Sequence, residues 1–148
     1  MDLSNILAIN GKPGLFKLIT KGKNNFIVES LVDQKRIPAF SHDGVSSLDN
    51  IAIFTYDDDM AVEKIFETIY RKEDGKKIDP VPSDNNTLRA YFETIVPDYD
   101  KERVYTSHIK KVLNWYNILL AGGLIEIGPD ENQEEKGENI SQEPDSES

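Results

Sequence analysis

The chain predicts an α+β protein: an N-terminal small bent sheet or SH3-like barrel with one packed helix, a C-terminal helical unit and a disordered acidic tail. Three observations predict it. Up to about residue 57, short apolar runs alternate with Gly, Asn and Asp turns, the pattern of short strands. Beyond that point apolar residues recur every three or four positions, the spacing of helices. From Pro129 onward the only apolar residue is Ile140, in a run of Glu, Asp, Asn, Gln, Ser and Gly too polar to form a core.

The elements follow in order. Ile6 to Ile9 is a short apolar run ended by the turn Asn10-Gly11-Lys12-Pro13-Gly14. Leu15–Thr20 and Phe26–Leu31 form a hairpin around Lys21-Gly22-Lys23-Asn24-Asn25. With Thr20 opposite Phe26, Leu18 faces Val28 and Lys17 faces Glu29, an opposite-charge pair worth ~0.2–1 kcal/mol. That register puts Phe16, Leu18, Phe26 and Val28 on one buried face. Arg36–Phe40 is a further strand, and Pro38 confines it to an edge or a bulge because it has no N–H to donate. Ser41-His42-Asp43-Gly44 reads as a loop, and Ile51–Tyr56 as the last clear strand.

Asp57-Asp58-Asp59 opens the first helix, with Asp59 as cap and Val62, Ile65, Phe66, Ile69 and Tyr70 as its stripe. Gly75 ends it, and the stripe is expected to cover the preceding sheet. Pro80 and Pro82 mark a semi-rigid linker. A second helix begins near Asp84, carries Leu88, Tyr91, Phe92 and Ile95, and stops before Pro97. A longer helix runs from Thr106 to Ala121 with Ile109, Val112, Leu113, Tyr116, Leu119 and Leu120 inward, and Gly122-Gly123 close it. Leu124–Ile127 is a candidate final strand. The expected organisation is a β-rich unit over 1–75 with its helix at 60–74, a linker at 76–83, a helical unit over 84–128, and the tail at 129–148.

Several runs resemble a known pattern: Asn10-Gly11-Lys12-Pro13-Gly14-Leu15, Val28-Glu29-Ser30-Leu31, Val45-Ser46-Ser47-Leu48, Val104-Tyr105-Thr106-Ser107, Ile109-Lys110-Lys111 and Trp115-Tyr116-Asn117. Together they resemble an uncharacterised family of small bacterial proteins carrying a domain of unknown function. The resemblance spans roughly residues 3–121. It implies a bacterial, cytoplasmic protein with a β-rich front and a helical back, and brings no activity, ligand or partner with it. It also implies an acidic residue at position 108, where this chain has His108.

Charge and composition exclude several classes. Of 27 acids and 17 bases, eight acids and one base lie beyond residue 128, so the tail carries −7 and the body, with 19 acids and 16 bases, only −3. A near-neutral body exerts no broad pull on phosphate backbones. The absence of cysteine removes disulfides, thiol catalysis and Cys-based zinc sites. The N-terminus lacks a signal-peptide pattern, and the longest apolar run, Ile118 to Ile127, is broken by two glycines well short of the ~20 residues of a membrane helix. The expectation is a soluble cytoplasmic protein.

No catalytic set is expected. Ser41-His42-Asp43 holds the residue types of a triad, but three consecutive loop residues do not converge. Asp57-Asp58-Asp59 is read as a cap in preference to a cation site. Asp98, Asp100 and Glu102 lack the Gly and Glu an EF-hand loop needs. Gly11-Lys12-Pro13-Gly14 has the wrong spacing for a phosphate loop. No metal and no cofactor are expected. What remains is a non-enzymatic interaction or adaptor module for another protein, with Trp115, Tyr116, Lys110 and Lys111 as the contact surface, since aromatics anchor interfaces. The alternative is a nucleic-acid-associated protein with a winged-helix-like C-terminal unit, using Lys110, Lys111, Lys21, Lys23, Arg71, Lys72, Lys76 and Lys77.

Overall fold

The computed structural model describes residues 3–125. Among these, five strands form one antiparallel sheet: β1 (Ile6–Ile9), β2 (Lys12–Lys21), β3 (Asn25–Ser30), β4 (Arg36–Phe40) and β5 (Val45–Ser47), in the order β4-β3-β2-β1-β5. The two edge strands are consecutive in sequence, joined by a 3-10 turn at Ser41–Asp43. In a flat sheet four spacings of about 4.8 Å would hold those edges roughly 19 Å apart. A 3-10 turn rises only ~2 Å per residue, so the sheet must curl to bring its edges together. Its interior confirms this. Leu7, Ile9, Phe16, Val28 and Ala39 are buried against Leu18, Phe26, Ile37 and Val45, with no helix residue among them. The result is a small, bent, barrel-like sheet whose edge strands β4 and β5 are not paired with each other, and the four residues expected on one buried face are all in its interior.

The expected hairpin register holds for Lys17↔Glu29 and Leu18↔Val28, then slips. A bulge at Ile19 sets Thr20 opposite Ile27 and Lys21 opposite Phe26. Pro38 lies on β4, an edge strand, where a missing N–H leaves no ladder bond unmade. β5 is a strand that the sequence pattern did not reveal: three residues long, it pairs with Leu7–Ile9 of β1.

Ile51–Tyr56 does not extend the barrel. Only Ala52–Ile53 (β6) is paired, in a two-stranded ribbon with Met60–Ala61 (β7). Beyond it, Thr55 bridges to Tyr99. This ribbon overturns the expected cap at Asp59. Asp57–Asp59 are spent on the turn, where Thr55 Oγ1 donates to the Asp58 carbonyl and accepts from the Asp57 N–H at 3.2 Å. Helix α1 (Val62–Lys72) starts after the ribbon, with Ala61 at its cap position and the Val62 N–H donated to the Ile51 carbonyl at 2.9 Å.

Helices α2 (Asn85–Ile95) and α3 (Thr106–Ala121) follow the expected pattern. Asp84 caps α2 by accepting from the Thr87 N–H at 2.9 Å, and hydrogen bonding from the Thr87 side chain, then from its backbone N–H, holds its carboxyl below the usual range. Val62, Ile65, Phe66 and Ile69 of α1, Leu88, Phe92 and Ile95 of α2, and Ile109, Leu113 and Leu119 of α3 meet in one core. Ile6 and Leu15 enter the same core from the outer face of the barrel. Strand β1 is therefore buried on both faces, which is why it reads as an unbroken apolar run. Each such side chain contributes about 1.5–3 kcal/mol on burial.

Residues 76–83 run along α3. Ile78 is buried, and both of its backbone groups bond to the side chain of Asn117. Leu124 and Ile125 are not in a strand, and the remainder of the candidate strand at 124–127 lies outside the described residues, as does the tail at 129–148. No helix among the described residues is long and apolar enough to cross a membrane.

Candidate functional site

Helical spacing decides which side chains of α3 share a surface. His108, Lys111, Val112 and Trp115 stand at i, i+3, i+4 and i+7, one face of the helix. That face looks onto two adjoining clefts. The first, about 410 Å³, lies between α3 and the β1–β2 turn, with Asn10, Lys12 and Pro13 on its far side. The second, about 220 Å³, lies between α3, Ile51–Phe54 and Arg103. Ile51, Lys111 and Trp115 line both, so the clefts form one groove divided by the indole.

The groove has a consistent chemistry. Lys12, Lys111, Arg103 and His108 line it, and no Asp or Glu does. Arg103 is held in place: its guanidinium lies 4.2 Å over the Phe54 ring, and its Nε donates to Asp100 Oδ2 at 2.8 Å. That hydrogen bond keeps the Asp100 carboxyl below the ordinary carboxylate range. Asp100 also accepts from the Glu102 N–H at 3.0 Å, which fixes the turn leading into α3. His108 Nδ1 accepts from the Tyr105 N–H at 3.4 Å, which fixes the ring at the start of α3. Lys12 and Lys111 have no ion-pair partner among the described residues. Phe54 is 43% exposed and extends the aromatic surface outward from the groove.

The expected contact residues separate. Trp115 and Lys111 come together in the groove, although only the indole edge reaches it, since Trp115 is 7% exposed. Tyr116 is 0% exposed and offers no surface; one position along the helix turns it into the core, where its hydroxyl donates to the Lys76 carbonyl at 2.9 Å. Lys110 is exposed, about 100° around the helix axis from Lys111 and away from the groove. Lys12, Ile51, Phe54 and Arg103 were missed. The only local hint was the alternation of Phe54 and Tyr56 about the buried Thr55, which turns both aromatics outward.

The other sequences weighed for chemistry have structural uses. Asp43 accepts from the Phe40 N–H at 2.8 Å, and His42 stacks on the Phe40 ring at 5.6 Å. Lys72 lies over the Tyr91 ring at 5.4 Å, and Lys77 pairs with Asp79 at 3.7 Å. Among the described residues no group of three or more His, Asp or Glu is placed to hold a metal ion.

Fold and groove together define a small barrel-and-helix protein with a cation-rimmed, aromatic-divided surface cleft. Residues 3–48 match the family model described as Domain of unknown function (DUF5606), and residues 51–119 match Domain of unknown function (DUF6852). A solution NMR structure from Bacteroides vulgatus, a target of the Northeast Structural Genomics Consortium, is similar at 41% identity over 84% of this chain and 90% of that one, with a TM-score of 0.70. The chain belongs to this bacterial family, whose two matched regions are both domains of unknown function. No curated protein matches it. The two matches meet between residues 48 and 51, at the 3-10 turn Leu48–Asn50 that leads from β5 to β6.

Proposed function

We propose that the protein is a non-enzymatic interaction module of the bacterial cytoplasm that binds an acidic, extended segment of a partner protein along the groove at Trp115. The observation that carries this reading is the lining of the two clefts: three cations and a histidine, no carboxylate, and an apolar wall of Ile51, Val112 and Trp115. In a body that is slightly acidic overall, such a concentration of positive charge focuses the field on one surface. Successive side chains of an extended segment point alternately, and two clefts on either side of one indole suit that alternation. Fold alone does not select a partner, and the reading rests on the site.

Affinity capture from a bacterial lysate after nuclease treatment tests it, comparing the wild type with Lys111→Glu and Arg103→Glu. The expected result is a partner with an acidic segment whose purified form loses at least about tenfold in affinity for both variants. Equal affinity for the wild type and the variants overturns the reading. Capture that vanishes with nuclease, with binding that falls steeply as salt rises, overturns it in favour of nucleic acid.

A further inference from the structure

We propose that residues 126–148 of the chain itself dock in cis on this groove, so that an outside partner must displace them. The inference rests on the groove being a site for acidic segments. Residues 126–148 hold nine acids and one base, Lys136, a net charge of −8. The groove they would meet is lined by Lys12, Lys111 and Arg103 and by no Asp or Glu; Arg103 is already paired with Asp100 beside the groove, so Lys12 and Lys111 are the cations left to meet the segment. The segment also contains apolar residues to set beside the indole, Ile127 and Ile140.

The place where the segment begins makes the docking intramolecular and short. At the end of α3, Gly123 takes a φ of +69° and the Leu124 N–H donates to the Leu119 carbonyl at 2.9 Å, which turns the chain back on the helix. Ile125 is then held in the core among the residues packed against α3. Trp115 is six residues before the helix end, about 9 Å along the axis at 1.5 Å per residue. Twenty-three residues reach roughly 75 Å when extended, far more than the path requires. A tether this short presents the segment at an effective concentration on the order of millimolar, so weak contacts suffice to occupy the groove.

The indole of Trp115, the single tryptophan of the chain and the divider of the groove, reports occupancy directly. The test compares the Trp115 indole N–H resonance in the full wild-type chain with that of a full-length variant whose nine acids beyond residue 125 are changed to amides (Glu126→Gln, Asp130→Asn and so on). At about 20 mM salt the two positions differ, and they converge by about 0.5 M as the charges are screened. A synthetic peptide of residues 126–148 returns the amide variant toward the wild-type position. Adding Lys12→Glu and Lys111→Glu to that variant weakens the peptide by at least about tenfold. Superimposed resonances at low salt overturn the proposal. So does a difference that depends on protein concentration, which places the segment on a second copy. A partner that binds the wild type and the amide variant equally well removes the cis docking and leaves the partner site standing. Docking without any competing partner protein removes only the partner site.

Discussion

The side chain of Asn117 holds both backbone groups of Ile78: its Oδ1 accepts the Ile78 N–H at 2.8 Å and its Nδ2 donates to the Ile78 carbonyl at 2.9 Å. One carboxamide serves as a strand partner would, and it ties the proline-containing segment to α3. Asn117→Ala leaves the two groups without partners beside the core, and the expected destabilisation is about 1–3 kcal/mol by urea unfolding. Asn117→Asp keeps the acceptor for the N–H but sets a carboxylate oxygen against the Ile78 carbonyl, so it should not restore stability.

Leu15 tests whether barrel and helices are one cooperative body. It projects from β2 into the core formed by the three helices and is fully buried. Leu15→Ala is expected to cost about 2–5 kcal/mol. Helix content by circular dichroism and Trp115 emission should still be lost in a single coincident transition. Two separated transitions would show the halves to be independently stable.

Tyr116 gives the fold an alkaline limit. Burial, then the charge of Glu73, then Tyr70, push its hydroxyl up from 10.0 to about 12, and burial with a hydrogen bond to Glu73 raises that of Tyr91 as well. A folded-state pKa above the unfolded one means that the unfolded chain releases its proton first. Stability is therefore fully present below pH 10 and falls as the pH rises from about 10 to 12. Tyr116→Phe should make this decline shallower, while below pH 9 it costs about 1 kcal/mol for the donor lost to the Lys76 carbonyl. Unfolding midpoints measured from pH 8 to 12 check both.

Gly44 joins the 3-10 turn to β5 with a φ of +75°, which an L side chain adopts at a cost of ~1–2 kcal/mol. A Cβ placed there would also stand 2.4 Å from Asn10 Nδ2. Gly44→Ala is expected to lower the melting temperature by several degrees. Gly44→Asn would be milder on the backbone, since asparagine tolerates this region, but its Cβ meets the same Asn10 side chain. The double variant Gly44→Ala with Asn10→Ala separates backbone strain from the clash.

The sequence was most legible where structure is local. Helix α3 begins and ends at the expected residues, Thr106 and Ala121, because its apolar stripe and its terminal glycines are all within the segment. The start of α2 near Asp84 was readable for the same reason. The Lys17–Glu29 pairing followed from the hairpin alone, and the register failed only past Leu18, where a bulge at Ile19 adds a residue that no side-chain pattern announces. Asp59 was misread because a cap and a turn ask for the same residue type, and the choice between them was made by the pairing of Met60–Ala61 with Ala52–Ile53. Val45–Ser47 is too short to show a period and is a strand only because β1 is beside it.

By itself the chain determined its class, its helices, most of one hairpin and the family it resembles, since these depend on residues a few positions apart. The tertiary structure decided the groove. Lys12, Ile51, Phe54, Arg103 and Trp115 are spread over more than a hundred positions and meet only because the barrel and the three helices bury a shared core. It also decided that Trp115 shows an edge to that groove while Tyr116 shows nothing, because a step of one residue turns a side chain about 100° around a helix, and only the packing of α3 fixes which direction is inward.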